Sequence, residues 1–121
     1  MSNTARGRAG EDQAVEYLIS EGYKILERNF RSARGEVDII AETSENTVFV
    51  EVKRWRSISI EGLEHSIGVR KQQRLIATAR YYLSTQDHST YRGIRFDVIF
   101  ISPGSSELYH LEGAFEAPCP E

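Results

Sequence analysis

The chain has 121 residues, 40% apolar and 27% charged, the profile of one ordinary soluble domain with a core of its own rather than a disordered chain. Its single cysteine, Cys119, excludes an internal disulfide and a Cys-x-x-Cys metal site, and its net charge of −3 argues at first against a nucleic-acid partner. Apolar runs such as Val98 to Ile101 are too short to span a bilayer, and no apolar stretch follows Arg6, so a cytoplasmic protein without membrane contact or secretory signal is expected.

Ala9 to Glu21 has helical spacing, with Ala14, Val15, Leu18 and Ile19 as its apolar stripe and Gly22 as its stop. Tyr23 to Phe30 reads as a short strand, and Ser32 to Gly35 as a turn in which Gly35 supplies positive φ. Glu36 to Glu42 and Thr47 to Arg54 are β-rich runs joined by the polar residues Thr43 to Asn46, a hairpin whose continuous Val/Ile content suggests cover on both faces. Residues Ser57 to Ser66 read as loop. Helical spacing returns from Gly68 to Leu83, with Gln72, Leu75, Ile76, Ala79 and Leu83 on one side. Gly93 to Ile101 is a strong strand, and Leu108 to Leu111 a short final one. The order α-β-β-β-α-β predicts an α/β fold, a mixed central sheet flanked by helices. No linker rich in Pro or Gly divides the chain, so residues 1–121 form one domain, with a core over about 5–111 and a tail over 112–121.

Charge is unevenly spread. Every Lys and Arg lies at or before Arg95, with basic clusters at Lys53-Arg54-Trp55-Arg56 and at Arg70-Lys71-Gln72-Gln73-Arg74. Phosphate binding follows local potential rather than the chain total. Each cluster is equally explicable as a solvated face.

The hairpin carries the chemistry. With Thr43 to Asn46 as its loop, Asp38 falls opposite Glu51 and Glu36 opposite Lys53, and side-chain alternation sends all four to one face. Opposed residues have Cβ atoms roughly 4.5–5.5 Å apart, where two carboxylates repel. A divalent cation turns that repulsion into binding, and Mg²⁺ favours a site of one or two carboxylates completed by water and phosphate oxygens. Lys53 beside the pair can orient a water or steady a developing phosphate charge. The plainer alternative is a surface ion pair, Asp38–Lys53 or Glu36–Lys53.

Gly10-Glu11, Arg28-Asn29-Phe30, Gly35-Glu36-Val37-Asp38-Ile39-Ile40-Ala41, Val48-Phe49-Val50-Glu51-Val52-Lys53, Lys71 and Arg95-Phe96-Asp97-Val98 together resemble the YraN-like family of bacterial proteins. That family is assigned to the PD-(D/E)XK nuclease superfamily and is similar to archaeal Holliday-junction resolvases. The resemblance implies the restriction-endonuclease-like αβββαβ core, with Asp38, Glu51 and Lys53 as the D…ExK triad and Glu11 as the acid that resolvase-like members carry on their first helix.

Glu11 also shares the helical face of Ala14, Val15 and Leu18, where a carboxylate needs a partner; the alternative is an acid placed favourably in a first helical turn. Lys71 and Gln72 are candidates for reaching the scissile phosphate, and Arg54 and Arg56 for binding the strand, with Trp55 between them able to stack on a base. Asp97 reads as the structural partner of a nearby Arg. His65, His88 and His110 have no zinc spacing. The expectation is therefore a hydrolase using Mg²⁺ or Mn²⁺ on DNA, branched or otherwise structured. Asp38, Glu51 and Glu11 would bind the metal, Lys53 would position the attacking water, and Glu36 would be an accessory acid. A homodimer would suit a double-strand cut. The alternative is a non-catalytic module binding nucleic acid or protein on the same fold.

Overall fold

A computed structural model describes residues 2–54, 67–86, 92–102 and 104–117, with side chains from residue 9 onward. Trp55, Arg56, the expected loop at 57–66, His65, His88 and Cys119 lie outside the described residues.

Helix α1 (Ser2–Ser20) is followed by β1 (Lys24–Arg31), β2 (Glu36–Glu42), β3 (Asn46–Arg54), α2 (Val69–Ser84), β4 (Gly93–Ile101) and β5 (Leu108–Phe115). The five strands form one sheet in chain order. All neighbours are antiparallel except β3 and β4. A parallel pair needs a crossover, and α2 lies between these two strands in the chain. The result is an α/β fold with an αβββαβ core, as expected, and a fifth strand at the edge.

The β-branched and aromatic residues of the inner strands explain why the sheet lies between two apolar layers. On one face Val37, Ile40, Phe49, Phe96, Val98 and Phe100 meet Leu75, Ile76, Ala79 and Tyr82 of α2. On the other, Ile39, Ala41, Val48, Val50, Ile99 and Ile101 meet Ala14 and Leu18 of α1. Burying each such side chain contributes about 1.5–3 kcal/mol, so the inner strands resist separation. No described helix is long and apolar enough to cross a membrane.

Gly22 stops α1 as expected. It has φ of 92°, its N–H donates to the Ile19 carbonyl (3.0 Å), and that of Tyr23 to the Leu18 carbonyl (2.9 Å), a Schellman cap. Three expectations are corrected. Ile19 is 57% exposed, because it sits one residue beyond the Ala14–Leu18 ridge that meets the sheet. Gly35 does not have positive φ. A Cβ there would stand 3.3 Å from the Arg74 Cβ and 3.4 Å from the Thr78 hydroxyl, so glycine lets the β1–β2 turn lie against α2. Strand β5 runs on to Phe115 through part of the expected tail. The polar Glu112-Gly113 step obscures it, because Gly113 takes φ of 62° where the β4–β5 register shifts.

Asp97, 1% exposed, organises the edge of the sheet. Arg95 donates to both its oxygens (2.9 and 2.8 Å), the Gly113 N–H donates to Oδ1 (3.0 Å), and His110 Nε2 lies 2.7 Å from Oδ2. Tyr17 of α1 reaches His110 Nδ1 at 2.9 Å, and Arg95 also donates to the Tyr23 hydroxyl. Burial alone would raise the Asp97 pKa, but the bonds from His110, Arg95 and Gly113 outweigh it and hold the carboxyl below its ordinary value.

Candidate metal centre

The β2–β3 hairpin has the expected register: Glu42 faces Thr47, Ala41 Val48, Ile40 Phe49 and Ile39 Val50. The ladder then ends, one pair short of Asp38 and Glu51. From there β3 continues only against β4, through Lys53 opposite Phe100 and Arg54 opposite Ile101. β2 stays with β1, to Glu36 opposite Arg31. The sheet therefore forks at Asp38.

The fork coincides with a kink in β1. Arg28 faces Ile39 and Phe30 faces Val37, so Asn29 stands opposite Asp38, and Asn29 has φ of 54°. Asn is among the residues that tolerate this left-handed backbone. Alternation in β2 also breaks at Asp38. Val37 packs on the α2 side of the sheet, whereas Ile39 packs on the α1 side. Instead of standing on one face, the Asp38 carboxylate turns into the fork and accepts the Val52 N–H at 2.8 Å.

Into the same fork comes Glu51, 7% exposed. Together with Gly10, Glu11, Val52, Lys53 and Arg54, the two acids line an open cleft of about 360 Å³. Burial and then the charge of Glu51 push the Asp38 carboxyl up to about 8, against the lowering effect of the Val52 N–H; a hydrogen bond with Glu51 and the charge of Glu11 add to the rise. At neutral pH without a cation the pair keeps a proton that a free aspartate would lose. Lys71 of α2 places its Nζ 2.9 Å from Glu51 Oε2, adding an ammonium beside the cleft.

Of the residues expected at the site, Asp38, Glu51, Lys53, Glu11 and Arg54 line this one cleft, and Lys71 contacts it through Glu51. Two stand elsewhere. Glu36 is not in the cleft lining and faces Arg31 Nε at 3.6 Å, because β2 follows β1 rather than β3 at that level. Gln72 donates to the Ile67 carbonyl at 2.9 Å, closing the chain onto the first turn of α2. Asn29 was missed. The readable signal was an Asn inside a strand pattern, a residue suited to a left-handed kink.

Two adjoining carboxylates, one holding an excess proton, fit a hard dication that can replace that proton. Asp38 and Glu51 would hold it, with Glu11 on the rim. Among the described residues no group of three or more acidic, His or Cys side chains is close enough to cage an ion. A cation here would thus complete its shell with water and substrate oxygens, as Mg²⁺ usually does.

Comparison with known proteins identifies a family that spans most of the chain. A family model described as "Uncharacterised protein family UPF0102" matches residues 10–101, the span from Gly10 to the end of β4. A UPF0102 protein of Persephonella marina is 43% identical over 116 residues, covering 96% of this chain and 97% of the relative. One from Thermodesulfovibrio yellowstonii is 42% identical over 115 residues (95% and 99%). Another, from Treponema pallidum, is 39% identical over 119 residues, with 94% of each chain covered. By this near full-length agreement the chain belongs to the UPF0102 family, the YraN-like group, with which a PD-(D/E)XK nuclease-like assignment is consistent.

Proposed function

We propose that this protein is a Mg²⁺- or Mn²⁺-dependent phosphodiester hydrolase acting on DNA. One observation carries the reading: the Asp38 and Glu51 carboxylates share a cleft with Lys53, with Lys71 anchored beside them. A fold has no need to gather two acids where they repel, and a cation makes the arrangement favourable. When bound, the cation supplies a more acidic water and neutralises charge on the phosphate. Asp38 and Glu51 orient it, and Glu11 adds negative charge at the rim. Lys53 positions the attacking water and balances the charge that grows on the phosphate oxygens. A water oxygen bonds to phosphorus, one P–O ester bond breaks, and the leaving alkoxide takes up a proton. Structured or branched DNA is the substrate class that the resemblance to resolvases suggests.

The test is cleavage of plasmid, single-stranded and four-way-junction DNA by pure protein in Mn²⁺. Wild type should cut at least one substrate, and Lys53→Ala should cut it at least about a hundredfold more slowly, the scale of a lost transition-state charge partner. Equal activity, or equal inertness, of the two proteins defeats the proposal. A second reading, a non-catalytic module for nucleic acid or protein, draws on the Lys71–Glu51 ion pair, which satisfies a buried acid without any cation. Mn²⁺ titration separates the two: the hydrolase reading requires binding that Asp38→Asn abolishes.

A further inference from the structure

A second basic feature lies outside the fork. Arg70, Gln73, Arg74 and Ala77 occupy one stripe of α2 by i, i+3, i+4, i+7 spacing, opposite the buried stripe of Leu75, Ala79 and Tyr82. With Arg34 of the β1–β2 turn they line an open cleft of about 290 Å³. Gly35 makes this possible, since only a residue without a Cβ lets the turn settle on Arg74 unhindered. All three arginines are exposed. Among the described residues no carboxylate pairs with any of them, whereas Arg28, Arg31, Arg92 and Arg95 each have an acid partner.

The stripe continues. At seven residues beyond Arg74, about 10 Å along the helix axis, Tyr81 is 53% exposed and stacks on Phe30 of β1, ring centroids 6.0 Å apart. The Phe30 contact holds an aromatic ring in place at the surface. Three unopposed guanidinia followed by a fixed, exposed ring match what a single strand needs: charge that follows phosphates and a platform on which a base can stack. A duplex offers phosphates but keeps its bases stacked within, so the tyrosine would have no partner there. Lys71, adjacent in sequence to Arg70, joins this face to the acid pair through Glu51.

We infer that the Arg34–Arg70–Arg74 cleft and Tyr81 bind a single-stranded segment of nucleic acid leading to the fork, with phosphates on the arginines and a base on the tyrosine. The inference rests on the reading of the fork as a phosphodiester site, and names the form of the strand that enters it.

The experiment is fluorescence anisotropy with labelled dT20 and a blunt 20-base-pair duplex, using full-length protein in EDTA across a salt series. Wild type should prefer dT20. Arg70→Gln/Arg74→Gln should weaken dT20 binding about tenfold or more and lower its salt slope by about 1.4, the value for two lost contacts to a single strand. Tyr81→Ala should weaken dT20 by about tenfold, within the range of one lost base stack, with little change for the duplex. Tyr81→Phe keeps a ring on Phe30 and should bind as wild type does. Unchanged affinity and slope in the double arginine variant overturn the inference. So does equal binding of duplex and dT20 with Tyr81→Ala silent on both. Mn²⁺-dependent cleavage that needs Lys53 but ignores the arginines would leave the hydrolase standing without this surface. Arginine-dependent binding without cleavage by any variant would do the reverse.

Discussion

Asn29 stands opposite Asp38 with its backbone in the left-handed region, and at that level the sheet opens into the fork. The kink of β1 and the break of alternation in β2 occur together. A strand that followed its regular pleat would keep Asp38 on a face instead of turning its carboxylate to the Val52 N–H. The position of Asp38, a ligand of the proposed cation, therefore goes with the backbone of a residue in the next strand.

Asn29→Gly should preserve that backbone, since glycine takes φ of this sign without strain. Asn29→Val should cost about 1–3 kcal/mol, the usual range for a strained φ, and should weaken Mn²⁺ binding as Asp38 moves. Urea denaturation and metal titration of both variants check this. Equal metal affinity in the valine variant would separate the two residues.

The pH dependence of stability follows from Asp38. Its folded pKa of about 8 lies above the ordinary value of 3.8. Between these values the folded protein holds a proton that the unfolded chain has released, so stability falls as pH rises. Stability from this group is thus greatest below about pH 4 and fully lost above about pH 8. Without metal, Asp38→Asn should be more stable than wild type at pH 8 and show a flatter profile from pH 5 to 8. Mn²⁺ should raise the wild-type melting temperature most at the alkaline end and leave that of Asp38→Asn unmoved. Thermal scans at several pH values, with and without Mn²⁺, measure both effects.

Lys71 is half-exposed, but its partner Glu51 is buried. Lys71→Met removes the ammonium and leaves two acids facing each other. Metal-free stability should fall by about 1–2 kcal/mol, less than for a fully buried pair. Saturating Mn²⁺ should restore most of it, because the cation takes over the neutralising role. A variant that stays equally destabilised in Mn²⁺ would contradict a shared site.

Asp97, in the middle of β4, ties that strand to β5. Asp97→Asn removes the charge that Arg95 pairs with and puts an amide NH₂ where Oδ2 met Arg95 and His110, leaving one oxygen to accept from Gly113, and should cost about 3–5 kcal/mol. The wild-type contribution is present above the unfolded pKa and is lost as pH falls through the depressed folded value, so acid unfolding should be blunted in Asp97→Asn. Hydrogen exchange at the Gly113 amide should quicken before that of inner-strand amides. Uniform exchange would show that the network does not hold β5.

Much of the fold was legible because periodicity reports burial. Both hairpin strands, their register and the fourth strand came from apolar runs and a polar turn, and β2 and β4 fell on the expected bounds. Glu112 and Gly113 carry no such pattern, so the second half of β5 was invisible. Its pairing depends on a bulge bonded to an aspartate 16 residues away. Asp97 was readable as the partner of an arginine, but Tyr17 and His110 were not, since nothing local links α1 to the last strand.

The sequence by itself determined which chemistry is available: two acids and a lysine at hairpin spacing, a glutamate on the first helix, and a basic second helix. Tertiary structure decided which of these meet. Regular pairing would have brought Glu36 to Lys53, but β2 stays with β1 and leaves it beside Arg31. Helix packing brought Lys71 to Glu51 and Glu11 to the cleft. Local patterns encode the direction of a side chain within its own element, whereas the divergence of two strands is set by what each pairs with on its other side.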